Sequence, residues 1–106
     1  MVLKGFLQII FAAFLLSACT AEPTVISSDA PPDAQRLYAI HCAACHKADG
    51  LGGISGAKNL RETVLDEEQI RLVIANGQGD MMPFESLLKP TEISALAGFV
   101  HDFKNQ

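Results

Sequence analysis

The 106-residue sequence predicts an all-α domain of three to four helices. Apolar residues recur at helical spacing in three segments, the second and third of these carry helix-end signals, and no run of alternating residues is long enough to argue for a strand.

The first segment, Asp33–Cys45, sets Ala34, Leu37, Tyr38 and Ile40 in the pattern of an amphipathic helix. Gly50, Gly52, Gly53 and Gly56 crowd Lys47–Leu60, so that stretch is a loop. Asp66 then reads as a helix N-cap, with Gln69 three residues on to close a capping box. Glu67 and Glu68 occupy the first turn, where the helix dipole favours negative charge. Ile70, Val73 and Ile74 form its apolar stripe, and Asn76–Gly77 ends it. A second loop, Gln78–Leu88, holds Met81–Met82–Pro83. Pro90 suits the first turn of the last helix, along which Ile93, Leu96, Ala97, Val100 and Phe103 fall on one face.

Residues 1–18 stand apart from this domain. Lys4 precedes an apolar run, Phe6–Leu16, too short to span a bilayer comfortably, and Leu16–Ser17–Ala18–Cys19 closes it with small residues before a cysteine. This resembles a bacterial lipoprotein signal, which implies that Cys19 becomes the lipidated first residue of the mature chain and anchors it to a membrane outside the cytoplasm. Multiple acyl chains would make that anchor stable. Residues 19–32 carry prolines, serines and acidic residues without apolar periodicity, as a flexible tether does.

The globular part, residues 33–106, is small enough to need a disulfide, a metal or a cofactor for stability. Two cysteines remain for it, Cys42 and Cys45, within His41–Cys42–Ala43–Ala44–Cys45–His46. Cys-x-x-Cys-His is the attachment signature of c-type haem. Thiols about one helical turn apart can each add to a vinyl group on the same porphyrin edge, and the next residue, His46, then lies where its imidazole can ligate the iron. A zinc site would need further ligands that the sequence lacks. A thioredoxin-like pair would open a helix after a strand, whereas these cysteines close a helix. A plain disulfide leaves the adjacent histidine unexplained.

The second loop offers a thioether for the opposite face of the iron, and a His/Met pair suits electron transfer. Two methionines are available, Met82 and, as the alternative, Met81; the one not used fills a gap in the core. His41 is too close to Cys42 to fold over the other face of the same haem, and His101 sits on the last helix. The Gly50–Gly56 glycines miss the spacing of a dinucleotide fingerprint.

From Asp33 to Phe103 the chain resembles the small single-domain members of the class I cytochrome c family. The matching features, in order, are the first helix entering Cys42–Cys45–His46, the Gly-rich loop reaching Asn59–Leu60, Asn76–Gly77 ahead of Met–Pro, and the closing helix. The resemblance implies a small cytochrome c fold wrapped around one covalent haem c, with His46 and Met82 as axial ligands, since the family's methionine is usually followed directly by proline. It also implies a close crossing of the first and last helices, through Ala34 and Tyr38 against Gly98 and Phe99. Family members commonly place a proline two residues before the loop leucine, and its carbonyl accepts a hydrogen bond from the axial histidine. Here that residue is Lys58, whose backbone offers the same carbonyl.

The implied function is single-electron transfer between a redox donor and acceptor at a membrane surface, as a free carrier or as the electron-accepting subunit of an oxidoreductase complex. The alternative is a gas-binding or sensing haem protein with an open sixth position. No catalytic base, nucleophile or basic nucleic-acid patch stands out. The net charge is −4, and loss of Lys4 with the signal leaves the mature chain acidic, which favours partners with basic docking surfaces.

Overall fold

The computed structural model describes residues 30–106; the signal (1–18), the lipidation residue Cys19 and nearly all of the tether (19–32) lie outside the described residues. Among the described residues four α-helices run in order: α1 (Ala34–His41), α2 (Ala43–His46), α3 (Glu67–Asn76) and α4 (Pro90–His101). Short 3-10 turns at Ile54–Gly56, Leu60–Glu62 and Asp102–Asn105 complete the regular structure. Among the described residues no strand forms, only an isolated bridge between Gln78 and Met81, and no helix is long and apolar enough to cross a membrane.

The helix ends follow their cap chemistry. The Asp33 side chain accepts from the Arg36 N–H at 3.0 Å and starts α1. At α3 the capping box is complete: Asp66 accepts from the Gln69 N–H at 2.8 Å, and the Gln69 side chain accepts from the Asp66 N–H at 3.0 Å. Pro90 opens α4, while the Glu92 carboxylate accepts from the Lys89 N–H at 2.7 Å.

Two expectations for the first helical segment need correction. The first segment is not one helix: Cys42 departs to φ −116°, its N–H gives α1 its last bond to the Tyr38 carbonyl, and α2 starts afresh with the Cys45 and His46 N–H groups on the Cys42 carbonyl. Ile40, read as part of the apolar face, is 60% exposed. At about 100° per residue it stands on the far side of α1 from Tyr38.

The core collects Tyr38 from α1, Ile70 and Ile74 from α3, Phe84 and Leu88 from the loop, and Ile93, Leu96, Ala97 and Val100 from α4, with Phe103 just beyond. Leu96 is fully buried, a position where truncation to alanine costs about 2–5 kcal/mol. The α1–α4 crossing is aromatic. The Tyr38 ring lies 5.4 Å from Phe99 and 5.1 Å from Phe103, and those two are 5.3 Å apart. Gly98 does not open this crossing as expected: beyond its own helix, a β-carbon there would meet only the Glu67 carboxyl group, at an ordinary 3.6 Å.

Candidate functional site

The attachment motif spans the junction of α1 and α2. Cys42 points into the core and Cys45 is exposed, and both thiols are free of any disulfide. Burial pushes the Cys42 thiol up to about 11, so it stays protonated and uncharged at neutral pH. His46 ends α2 half-buried, with Nδ1 3.0 Å from the carbonyl oxygen of Lys58. A carbonyl can only accept, so Nδ1 carries the proton and the Nε2 lone pair is left free.

The loop from Lys47 to Glu62 is folded to deliver that carbonyl. The Gly52 N–H donates to the His46 carbonyl at 2.9 Å, the Leu60 N–H to Gly50 at 2.7 Å, and Arg61 Nε to the Asp49 carbonyl at 2.7 Å. Gly52 is required at the centre of this fold. At φ +69° a β-carbon would be strained, and it would also collide with the Lys58 carbonyl oxygen and lie 2.6 Å from that of Ala57.

The methionine loop is anchored behind and ahead of its thioethers. The Phe84 N–H donates to the carbonyls of Ile74 and Ala75 at 3.0 and 3.2 Å, and Glu85 adds a bond to Ala75 at 3.2 Å. The N–H groups of Gln78 and Met81 each donate to the other's carbonyl at 3.0 Å, closing the turn between them. Gly77 sits at φ +73°, where a β-carbon would lie 2.5 Å from the Met81 oxygen, 2.8 Å from the Pro83 nitrogen and 2.9 Å from the Met82 carbonyl carbon. Met81 packs on the core, whereas Met82 is 54% exposed. The His41 ring meets Phe84 edge-on at 6.0 Å, which ties the segment after Met82 to the residue before Cys42.

These residues fit a haem. The structure joins the thiol pair, an imidazole with a free Nε2 and the methionine loop in one unit. Among the described residues no group of three or more His, Cys, Asp or Glu side chains stands together. His101 faces Asp102, with Nδ1 4.0 Å from the carboxylate. Sequence reasoning missed Tyr38, whose hydroxyl donates to the Lys47 carbonyl at 2.7 Å; as one apolar-face residue among several it gave no signal of that bond.

Comparison with known proteins agrees with this architecture. Residues 29–100 match the protein-family model described as cytochrome c oxidase, cbb3-type, subunit III. The cbb3-type cytochrome c oxidase subunit FixP of Bradyrhizobium sp. is 34% identical over 100 residues, which cover 89% of this chain and 34% of FixP. The chain thus spans about a third of the length of that relative. Cytochrome c6 of Gloeothece citriformis is 27% identical over 92% of this chain and 93% of its own. The solved KustC0563 c-type cytochrome superposes with a TM-score of 0.61 at 32% identity, covering 67% of this chain and 96% of its own. The chain therefore belongs to this cytochrome family and is a small class I c-type cytochrome with one covalently attached haem c.

Proposed function

We propose that this cytochrome is an exported, lipid-anchored electron carrier that passes single electrons between redox proteins at a membrane surface, with His46 and Met82 as the axial ligands of its iron. The observation that carries the reading is the bond from His46 Nδ1–H to the Lys58 carbonyl. It fixes the imidazole tautomer, leaves Nε2 as the donor for iron, and raises the basicity of the ring, as such outer partners do for metal-bound histidines.

Cys42 and Cys45 would hold the porphyrin through thioether bonds, so that the cofactor stays with an exported chain. Bound haem supplies a one-electron redox centre, whose potential a His/Met pair raises. Met82 is preferred to Met81 because its side chain is free of the core while that of Met81 is packed into it. The two loops are braced by backbone contacts at Gly52 and Gly77, which favours an iron environment that changes little on reduction.

Lipid on Cys19 would hold the domain at the membrane, with residues 19–32 as the tether. The excess of Asp and Glu over Lys and Arg favours a donor and an acceptor with basic docking faces, an attraction that weakens with salt. That FixP is an oxidase subunit makes an oxidase complex one candidate acceptor, whether this chain acts as a subunit or as a free shuttle.

The test is the visible spectrum of the reduced holoprotein, made in a host with haem-attachment machinery, before and after carbon monoxide. A c-type spectrum that the gas does not move is expected for a closed His/Met site. A strong shift would replace the carrier reading with the gas-binding one.

A further inference from the structure

Lys47 follows His46 directly and holds φ 62° and ψ 163°, a backbone region populated almost only by glycine. A lysine stays in such a conformation only where its surroundings hold it. Its N–H donates to the Ala43 carbonyl at 2.9 Å, and its own carbonyl accepts from the Gly50 N–H at 3.2 Å and from the Tyr38 hydroxyl at 2.7 Å. The tyrosine bond is the shorter of the two and, among the described residues, comes from the one side chain that bonds this peptide.

Tyr38 is well placed to act as a fixed post. Its side chain is only 2% exposed, and its ring is packed against Phe99 of α4 and against Phe103. Its own carbonyl accepts the Cys42 N–H at 2.9 Å. One residue therefore grips the attachment segment at both ends: through its backbone where the segment begins, and through its hydroxyl just after His46.

We propose that Tyr38 is a positioning residue for the iron ligand: by holding Lys47 in a glycine-like conformation, its hydroxyl fixes the peptide after His46 and with it the plane of the imidazole ring. The inference rests on the reading of His46 as a ligand. It links the α1–α4 crossing to the electronic properties of the iron, because the place of the hydroxyl is set by the aromatic cluster at that crossing.

The test compares wild-type holoprotein with Tyr38→Phe and with Tyr38→Phe/Lys47→Gly. Tyr38→Phe keeps the ring and removes only the hydroxyl, and glycine at position 47 adopts the observed angles without being held. The readouts are the paramagnetic shifts of the haem methyl groups in the oxidised protein, which follow the orientation of the axial imidazole, and the reduction potential. Tyr38→Phe is expected to change the methyl-shift pattern and the potential, and the added Lys47→Gly to bring both back toward wild type. A purely structural tyrosine would lower the denaturation midpoint and leave the methyl pattern in place, which would overturn the proposal. A changed pattern that Lys47→Gly does not restore would overturn it as well, since the effect would not run through the Lys47 backbone. Wild-type spectra in which the His46 ring protons are not shifted by the haem would remove the ligand reading itself, a failure distinguishable from the other two.

Discussion

Replacing Gly77 with alanine would drive a methyl group into the backbone of the methionine loop. At φ 73° and ψ 169° the position lies in territory that costs a non-glycine residue about 1–3 kcal/mol. The added carbon would also lie 2.5–2.9 Å from atoms of Met81, Met82 and Pro83, all of them backbone and unable to rotate away. Overpacking of this kind adds about 1–3 kcal/mol, so Gly77→Ala is expected to destabilise the domain by about 2–6 kcal/mol. Gly79 supplies the control. Its φ is also positive, +57°, yet a β-carbon there meets nothing within 4 Å, so Gly79→Ala carries only the left-handed cost of about 1–2 kcal/mol. The assay is urea unfolding of both holo-variants in each oxidation state, where a difference of about 2 kcal/mol moves the midpoint by about 1–2 M. The gas test on the reduced proteins adds a functional readout. Gly77→Ala pushes the Met82 peptide outward and is expected to admit carbon monoxide; Gly79→Ala is not. Equal midpoints for the two variants, together with gas-insensitive spectra for both, would refute the view that Gly77 supports the loop by contact.

Met82→Ala is expected to open the sixth position to carbon monoxide, whereas Met81→Ala leaves it closed and loses core packing only; the reverse pattern would transfer the ligand to Met81. Cys19→Ser is expected to give a soluble, haem-loaded protein on fractionation, and continued tight membrane association would refute lipidation at Cys19. Burial pushes the Tyr38 phenol up to about 12 from its usual 10, so the native state keeps a proton that the unfolded chain loses first. That stabilisation is fully present below pH 10 and is lost as the pH rises through 12. Wild-type stability should fall across this window more than that of Tyr38→Phe, and parallel profiles would refute the assignment.

The parts legible in the sequence are those written in local chemistry. Asp66 and Gln69 spell the start of α3, Pro90 the start of α4, and the Cys42–Cys45–His46 spacing names the cofactor. At Lys58 the availability of the carbonyl was legible too, because a hydrogen bond to a main-chain carbonyl does not depend on the side chain, and His46 does use that carbonyl. The helix break at Cys42 was not readable. Apolar periodicity runs through Asp33–Cys45 without interruption, and the break shows only in where the Cys42, Cys45 and His46 N–H groups go.

The contacts that hold the site were only partly legible for a common reason: they are close approaches of backbone atoms within folded loops. Gly52 against the Lys58 carbonyl and Gly77 against Met81–Pro83 both depend on how a loop turns back on itself, and a glycine in a loop announces only that some unusual conformation is allowed there. Lys47 is the sharper case. A lysine predicts nothing at φ 62°, and its conformation is intelligible only once the Tyr38 hydroxyl is seen on its carbonyl. A domain this small cannot set its ligands by the bulk of its core. It sets them instead through main-chain hydrogen bonds and close backbone approaches around the two loops, with the aromatic crossing of α1 and α4 as the fixed reference. On that reasoning the iron's surroundings should be more sensitive to a methyl group at Gly52 or Gly77, or to one lost hydroxyl at Tyr38, than to changes at exposed side chains such as Lys58.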